Sequence, residues 1–388
     1  MSHRRHLLVT NDFPPKVGGI QSYLWELWRR LDPSTFSVLT ASSDPQAADF
    51  DTAFTAAGGS IRRVPGRILF FPTPRTRRLV AQEVARVGAD LVLFDPVVPL
   101  GMLASSVGPA AQVLHGAEVA IPGRLPIARA VLRRTLSSSA GAIAAGPYPE
   151  AEARRVARAS MPPVLQVPPG VDTQRFRPLD PAGRTAVRER LGLKPEVPLI
   201  VSVSRLVPRK GMDTLIEAAG ILARSGTQLQ VAIGGSGRDA ARLEKLVNEH
   251  RAPVTMLGRV ADDDLPGLVG AADVFVMACR NRWGGLEQEG FGIVFLEAAA
   301  CATPAIAGRS GGSADAVVDG VTGSVLEDPR SAAELASTLQ KLLLDPERRA
   351  AMGIAARARA VASFDYDVLA RRLGSALSAG WPGAQVPE

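Results

Sequence analysis

Glu289 and Glu297 stand eight positions apart and bracket the segment Glu-Gly-Phe-Gly-Ile-Val-Phe-Leu-Glu. The apolar run Asp273-Val-Phe-Val-Met ends upstream, and Ile293-Val-Phe-Leu-Glu-Ala-Ala-Ala reads as a helix. Glu289 then sits in the loop ahead of that helix and Glu297 about a turn inside it. Gly290 and Gly292, on either side of Phe291, let the backbone come close to a ligand. A helix start offers unpaired N–H groups and the positive end of its dipole. A carboxylate, a bare backbone and a helix start together suit a sugar attached to a phosphate. Two isolated glutamates would be solvated acids on a surface loop, so the reading depends on what the rest of the chain supplies.

A second cluster supplies cations. The strand Leu199–Ser204 delivers Arg205 to its C-terminal end, and the loop Leu-Val-Pro-Arg-Lys-Gly carries Lys210 to the next helix start. Arg grips a diphosphate with two donors and Lys adds a point charge. Arg209, next to Lys210, is assigned to solvent. In the N-terminal half, Asn11-Asp-Phe-Pro-Pro-Lys-Val-Gly-Gly joins a first strand to a first helix. Gly18 and Gly19 thereby place bare N–H groups at a helix N-terminus, an anion site, although a Gly-Gly pair alone is usually just a turn. His115 follows the strand Gln112–Leu114 and precedes Gly116, which admits a functional role beside a structural one. Asp12 has the same standing.

Two further patterns fail on context. Gly235-Ser-Gly-Arg-Asp-Ala240 fits the dinucleotide pattern G-x-G-x-x-A. A nicotinamide dehydrogenase also needs an acid at the end of the next strand, and Val254–Met256 runs into Leu257-Gly258 instead. Asp262-Asp-Asp264 has a metal-binding spacing but directly precedes Leu265-Pro266, where an N-cap explains it more cheaply.

Strand-like and helix-like segments alternate to position these residues. His6–Thr10 precedes the helical pattern Ile20–Leu31, and Leu91–Phe94, Gln112–Leu114 and Gly141–Ala145 read as buried strands. A second series runs from Leu199–Ser204 through Met212–Ala223, Leu229–Gly234, Asp239–Glu249, Val254–Met256 and Leu265–Gly270 to Val274–Met277. Repeated βα units predict an α/β fold of parallel sheets covered by helices. At 388 residues the chain exceeds one ordinary core. The Pro-rich and polar stretch near 165–195 divides it into two Rossmann-like domains, 1–175 and 176–364, with a cleft between them. Ligands of such sheets bind beyond the C-terminal strand ends, where the residues above lie.

Composition sets further bounds. No apolar run approaches the length that spans a bilayer, and His6–Thr10 reads better as a strand than as a signal-peptide core, so a cytoplasmic location is expected. Two cysteines, Cys279 and Cys301, form no disulfide framework and are read as small core residues. Four scattered histidines give no basis for a metal site. The net charge of +7 is concentrated in two acid-free runs. One is 52–82 with Arg62, Arg63, Arg67, Arg75, Arg77 and Arg78, and the other is 119–149 with Arg124, Arg129, Arg133 and Arg134. Nucleic acid is disfavoured, because only Phe70 and Phe71 lie among the arginines of the first run. Leu125–Leu136 alternates apolar and basic positions at helical spacing, as a helix on a membrane surface or a solvated face would.

With Glu289-x7-Glu297, Arg205…Lys210 and the Gly18-Gly19 loop in one chain, the sequence resembles retaining GT-B glycosyltransferases of the large GT4-type family. The resemblance runs nearly end to end and includes Pro169-Gly-Val-Asp172…Phe176-Arg-Pro178, Ser204-Arg-Leu-Val-Pro-Arg-Lys-Gly211, Ala272-Asp-Val-Phe-Val276 and Gly311-Gly312. Thr10-Asn-Asp-Phe-Pro-Pro-Lys-Val-Gly-Gly-Ile-Gln-Ser-Tyr23 is most similar to actinobacterial enzymes that add mannose to phosphatidylinositol monomannoside from GDP-mannose. The resemblance implies that Arg205 and Lys210 hold the donor diphosphate with Gly19. It implies that Glu289, with the backbone of Gly290, Phe291 and Gly292, binds the sugar, and that Glu297 holds the ribose. Backbone near Arg259 and Val260 would contact the base, His115 would lie near the donor sugar, and Asp12 near the acceptor. Arg62, Arg63 and Arg67 would meet an anionic phosphoinositide acceptor. Arg205 and Lys210 would replace a metal ion, so neither metal nor cofactor is expected. The expected partners are a nucleotide sugar, the lipid acceptor and an anionic membrane bound peripherally on its inner face. The family's Gly-Gly-x-Pro-Glu is Gly311-Gly-Ser-Ala-Asp315 here, which alters the contacts of that loop. The family's last helix crosses back to the first domain, which assigns 365–388, and Tyr366–Leu377 in particular, to it.

Overall fold

A computed structural model describes residues 4–380 except 43, 44, 67, 68, 70 and 286. The chain forms two compact units, one running to Pro169 and resuming at Tyr366, the other comprising Gly170–Asp365. The second unit begins at Gly170 because Val171 N–H donates to Phe364 O (2.8 Å) and the Val171 and Phe176 side chains enter its core.

The first unit is built on a seven-stranded parallel sheet. Its strands are β1 (His6–Thr10), β2 (Phe36–Ser42), β3 (Ile61–Pro65), β4 (Leu91–Asp95), β5 (Ala110–Leu114), β6 (Gly141–Ala144) and β7 (Val164–Gln166), in the order β3-β2-β1-β4-β5-β6-β7. β1, β5 and β6 are buried along their whole length, as expected of a sheet with helices on both faces. The helix Tyr366–Ser378 belongs to this unit. Tyr366, Leu369, Leu373 and Leu377 recur at helical spacing and pack with Leu24, Leu27 and Trp28. Arg30 Nε adds a 2.6 Å bond to Asp367. His6 is buried, accepts from Trp28 Nε1 at 3.0 Å and is pushed down to about 3 by that burial, so it is a neutral core residue.

The second unit has six parallel strands, β8 (Leu199–Val203), β9 (Gln230–Gly234), β10 (Val254–Gly258), β11 (Val274–Met277), β12 (Ala305–Gly308) and β13 (Gly323–Leu326). Their order is β10-β9-β8-β11-β12-β13. In both sheets the order reverses once, between β1 and β4 and between β8 and β11. Chain leaving two neighbouring strands at such a point turns to opposite sides and opens a crevice at the C-terminal ends. The first helix spans Gly19–Trp28 and stops short of Leu31, and Cys279 and Cys301 are both buried and unpaired. Among the described residues no helix is long and apolar enough to cross a membrane.

Candidate functional site

The reversal between β8 and β11 carries the basic loop. β8 ends at Val203, and the chain passes through Ser204 to Arg205, which is exposed and makes no ion pair among the described residues. Its neighbour Leu206 is buried and fixes the turn. The glycines of the G-x-G-x-x-A segment press on this turn. A Cβ on Gly235 would lie 1.9 Å from Ser204 O, and one on Gly237 would lie 2.2 Å from Leu206 O. They permit close packing of backbone on backbone, which accounts for the pattern without a dinucleotide.

A single 3-10 turn, Pro208–Lys210, leads to Gly211 in the left-handed region (φ 72°), with the helix Met212–Arg224 behind it. Lys210 is buried and donates to Glu289 Oε2 at 2.7 Å. Arg209 Nη1 donates to the same oxygen, which corrects its assignment to solvent. Its side chain is 14% exposed. Arg280 N–H donates to Arg209 O at 2.9 Å and holds the turn so that both cations face the acid. The acids at 287 and 289, set against Lys210 alone, were the one sequence signal for a second cation. Burial raises the Glu289 carboxyl, but Lys210 and Arg209 outweigh it and the net direction is down. Glu289 is therefore a fixed carboxylate.

The acidic loop is clamped from behind. Glu289 N–H donates to Ser310 Oγ (3.0 Å), which donates to Asn281 Oδ1 (2.8 Å), and Gly312 N–H donates to Glu289 O (3.1 Å). A Cβ on Gly311 would sit 2.0 Å from Glu289 O, so this contact requires glycine. Gly290 is exposed with open space at its Cβ position, Phe291 is buried against Phe364, and Gly292 caps the helix Ile293–Ala300 at φ 85°. Glu297 lies in that helix, half-buried and without an ion pair among the described residues. Burial pushes it up to about 7, with Arg175 opposing and Asp262 adding. Val260 follows β10 and packs over Gly234, and Arg259 beside it is exposed. The Asp262–Asp264 run does not provide the side-chain cap expected of it. Asp264 is the N-cap residue of Leu265–Gly270 but has helical φ and ψ, so its carboxylate pairs with Arg190 instead of bonding the first turn.

In the first unit the reversal lies between β1 and β4, where Thr10 and Asp95 are register partners. Thr10 Oγ1 donates to Asp95 Oδ2 (2.6 Å), and Asp95 Oδ1 lies 2.7 Å from His115 Nε2. Asp12 N–H donates to Thr10 Oγ1 (2.9 Å), which extends the chain of bonds along the strand ends. The Asp12 carboxylate accepts from Lys16 Nζ (2.5 Å) and from Gln21. Burial lowers His115, but Asp95, then Glu118 and Asp12, raise it further, so the imidazole is held above its ordinary value. Tyr23 meets its ring edge-on at 5.4 Å. Asp95 and Thr10 were missed in the sequence. The available signal was an acid closing the buried run Leu91–Phe94.

Gly18 is the N-cap and Gly19 the first residue of the helix Gly19–Trp28, whose first turn contains no acid. Arg62 and Arg63 are both paired internally, Arg62 to Glu83 at 2.8 Å and Arg63 to Asp51 at 2.8 Å and to Pro14 O at 2.6 Å. Arg62 also lines a cleft of about 1030 Å³ with Arg75, Arg78 and Gln82. Arg67 lies outside the described residues.

Residues 183–359 match the model of "Glycosyl transferases group 1". The chain is 42% identical over 389 residues (96% of it, 98% of the relative) to the GDP-mannose-dependent alpha-(1-6)-phosphatidylinositol monomannoside mannosyltransferase of Mycobacterium tuberculosis. It is 37% identical over 380 residues, at the same coverages, to a GDP-mannose-dependent monoacylated alpha-(1-6)-phosphatidylinositol monomannoside mannosyltransferase of Corynebacterium glutamicum. Its fold is similar to that of Anabaena HepE in complex with UDP, with a TM-score of 0.79 and 20% identity over 97% of this chain and all of that one. WaaG, a glycosyltransferase of lipopolysaccharide biosynthesis, matches with a TM-score of 0.66 and 20% identity over 97% of this chain and all of that one. The two parallel-sheet units are thus those of a GT-B fold. A fixed carboxylate held by a buried lysine and a part-buried arginine, on the same sheet reversal as an exposed arginine, together with 42% identity to such an enzyme over nearly the whole chain, makes this protein a member of the group 1 glycosyltransferase family.

Proposed function

We propose that this glycosyltransferase moves mannose from GDP-mannose to a phosphatidylinositol mannoside at a membrane surface, with retention and without a metal ion. The observation that carries the reading is the charge arrangement around Glu289. An ammonium has three donors. Glu289 takes one from Lys210, so two remain for a diphosphate beside the uncommitted Arg205. The names of the relatives support GDP and mannose.

Breaking the bond between sugar and phosphate leaves negative charge on the departing nucleotide diphosphate. Arg205 and Lys210 stabilise that charge, with the N–H of Gly19 as a further donor, and because they are already oriented no reorganisation is needed at that moment. Glu289 accepts from sugar hydroxyls alongside the exposed backbone at Gly290, and Glu297 accepts from the ribose. Backbone near Arg259 and Val260 meets the base. His115, held by Asp95, lies near the donor sugar, Asp12 near the acceptor, and Arg62, in the cleft it lines, toward the acceptor phosphate. No side chain acts as a nucleophile. The acceptor attacks from the side of the leaving group through an oxocarbenium-like state, and the departing phosphate oxygen takes the acceptor's proton.

The test is a donor panel of GDP-, UDP- and ADP-sugars against lipid and soluble acceptors, with and without chelator, scored by product mass. A mannosylated phosphoinositide formed from GDP-mannose under chelation, with the α linkage retained, is expected. Product from only a UDP- or ADP-sugar with a soluble acceptor, or a glycosyl adduct trapped on a side chain, overturns the reading.

A further inference from the structure

We propose that Asp213 and Arg280 are positioning residues that together hold Lys210 in place for the departing diphosphate. Their purpose rests on the reading above, in which Lys210 stabilises that leaving group. The chain that leaves β11 is pressed onto the turn carrying the cations, and a Cβ on Gly211 would lie 2.0 Å from Ala278 O. Arg280 then grips the turn on both sides of Lys210. Its backbone N–H donates to Arg209 O (2.9 Å), just before the lysine. Its guanidinium bonds the residues just after, Nη2 donating to Asp213 Oδ2 (2.6 Å) and Nη1 to Thr214 Oγ1 (3.1 Å).

Asp213 is anchored in turn. Arg242 Nη2, from the helix Ala240–His250, donates to it at 3.1 Å, and Arg242 is itself gripped by Asp239 through Nε and Nη2 at 2.7 Å each. Burial raises the Asp213 carboxyl, but Arg280, then Thr214 N–H and Arg242, outweigh it and the net direction is down. The next residue after Arg280 performs the matching task for the acidic loop. Asn281 Oδ1 accepts from Ser310 Oγ, which accepts from Glu289 N–H. Two consecutive residues therefore set the cation turn and the acidic loop against each other.

Stability alone does not account for this arginine. Arg280 is 8% exposed, yet its Nε is buried without a partner. An unmet buried donor costs stability, and a buried ion pair yields less than apolar packing would. Arg188, the other buried arginine among the described residues, makes the contrast. It lies by the N-terminal ends of β8 and β11, and all three of its nitrogens are bonded, to Ala271 O, Pro195 O and Asp273 among others. Arg280 lies at the C-terminal ends, beside the charges that act on the ligand. There a misplacement of about 1 Å is enough to slow reaction about 10²-fold.

The test is steady-state kinetics and amide hydrogen exchange of the full chain in Arg280→Met, Arg280→Lys, Asp213→Asn and Arg188→Met. Arg280→Met should lower kcat about 10²-fold and Asp213→Asn about tenfold, with donor KM changing less than about threefold. Arg280→Lys keeps a charge facing Asp213 and should recover part of the loss. Exchange in the segment 207–212 should quicken at least about tenfold in Arg280→Met. Arg188→Met should lower the thermal midpoint and change neither kcat nor exchange in that segment. An unchanged kcat in both Arg280→Met and Asp213→Asn overturns the proposal. So does an equal fall of kcat in Arg188→Met, which would make lost stability the cause. Lys210→Met separates the two readings. If it abolishes turnover and the positioning variants do not, only the present proposal fails. If it leaves turnover intact, the leaving-group role of Lys210 fails. Faster exchange in Arg280→Met would then leave the grip on the turn standing, and unaltered exchange would end both.

Discussion

Replacing Glu297 by Gln should stabilise the protein above neutral pH and leave it nearly unchanged in acid. Glu297 sits in the helix Ile293–Ala300 without an ion pair among the described residues, and burial raises it from 4.5 to about 7. A carboxyl raised on folding contributes stability that is complete below its unfolded value and is lost as pH climbs through the folded one. The window is therefore 4.5 to about 7. At about 1.4 kcal/mol per pH unit the loss has a ceiling of about 3 kcal/mol, and water reaching the half-buried side chain reduces it to about 1–3 kcal/mol. Gln has nearly the shape of the protonated acid and does not titrate. The difference in stability between variant and parent should rise across that window and then level off. Urea unfolding at a series of pH values measures it, and thermal midpoints should separate by about 2–4 °C per kcal/mol. On the proposed contact between Glu297 and the ribose, saturation with GDP should move the window to lower pH, because hydroxyl donors favour the ionised form. A pH-independent difference would refute the argument, since it would mean that folding leaves the ionisation of Glu297 unshifted.

Arg205 is exposed and makes no ion pair among the described residues, so Arg205→Ala should leave the unfolding midpoint unchanged, while loss of its proposed bond to the diphosphate should slow turnover by about 10²-fold, or about 3 kcal/mol, in steady-state kinetics. Glu289→Ala leaves Lys210 buried without its acid, while Arg209 keeps Glu287 at 3.8 Å, and should cost about 3 kcal/mol in urea unfolding. Much of that loss should be recovered when Lys210→Met is added. Asp95→Asn should lower the His115 pKa, read from its imidazole resonances through a pH titration, because Asp95 is the strongest influence holding it up. The parent's stability from this pair is full in acid and falls as pH rises through the raised His115 value, and the variant should lose it at lower pH.

The parts of the fold that were readable in the sequence are those where burial and periodicity agree. β1, β5 and β11 are short apolar runs and were found as such, as were Glu289 ahead of its helix and Glu297 inside it. β3, Ile-Arg-Arg-Val-Pro, was not. It is an edge strand whose arginines pair with acids brought from elsewhere in its unit, so it carries no apolar run. β12 and β13 are four residues each and rich in Gly, Ala and Ser, too short and too small to show a period. The site was legible where a residue terminates a strand and illegible where two segments must meet. Arg209 faces Glu289 across 80 positions, and Thr10 meets Asp95 across 85. Neither spacing is encoded locally; both follow from strand order, which sequence periodicity leaves undetermined.

Strand order also explains why charged groups survive burial at these two points. Next to a sheet reversal the C-terminal strand ends are not covered by a crossover, so polar groups there can be held by protein on one side and left open on the other. Glu289 satisfies both halves of that condition: two cations and a clamped backbone behind it, and open space at Gly290 beside it. A buried ion pair of this kind is a poor source of stability compared with apolar packing. Its value lies in holding the carboxylate ionised and in a fixed place before a substrate arrives, so that no reorganisation is needed during reaction. His115 is likewise held in place, by an acid that is itself fixed by Thr10. Groups fixed for packing alone would be expected to sit in the sheet interior, as the neutral His6 does against Trp28. Charges fixed at the open strand ends are better explained by work done on a ligand there.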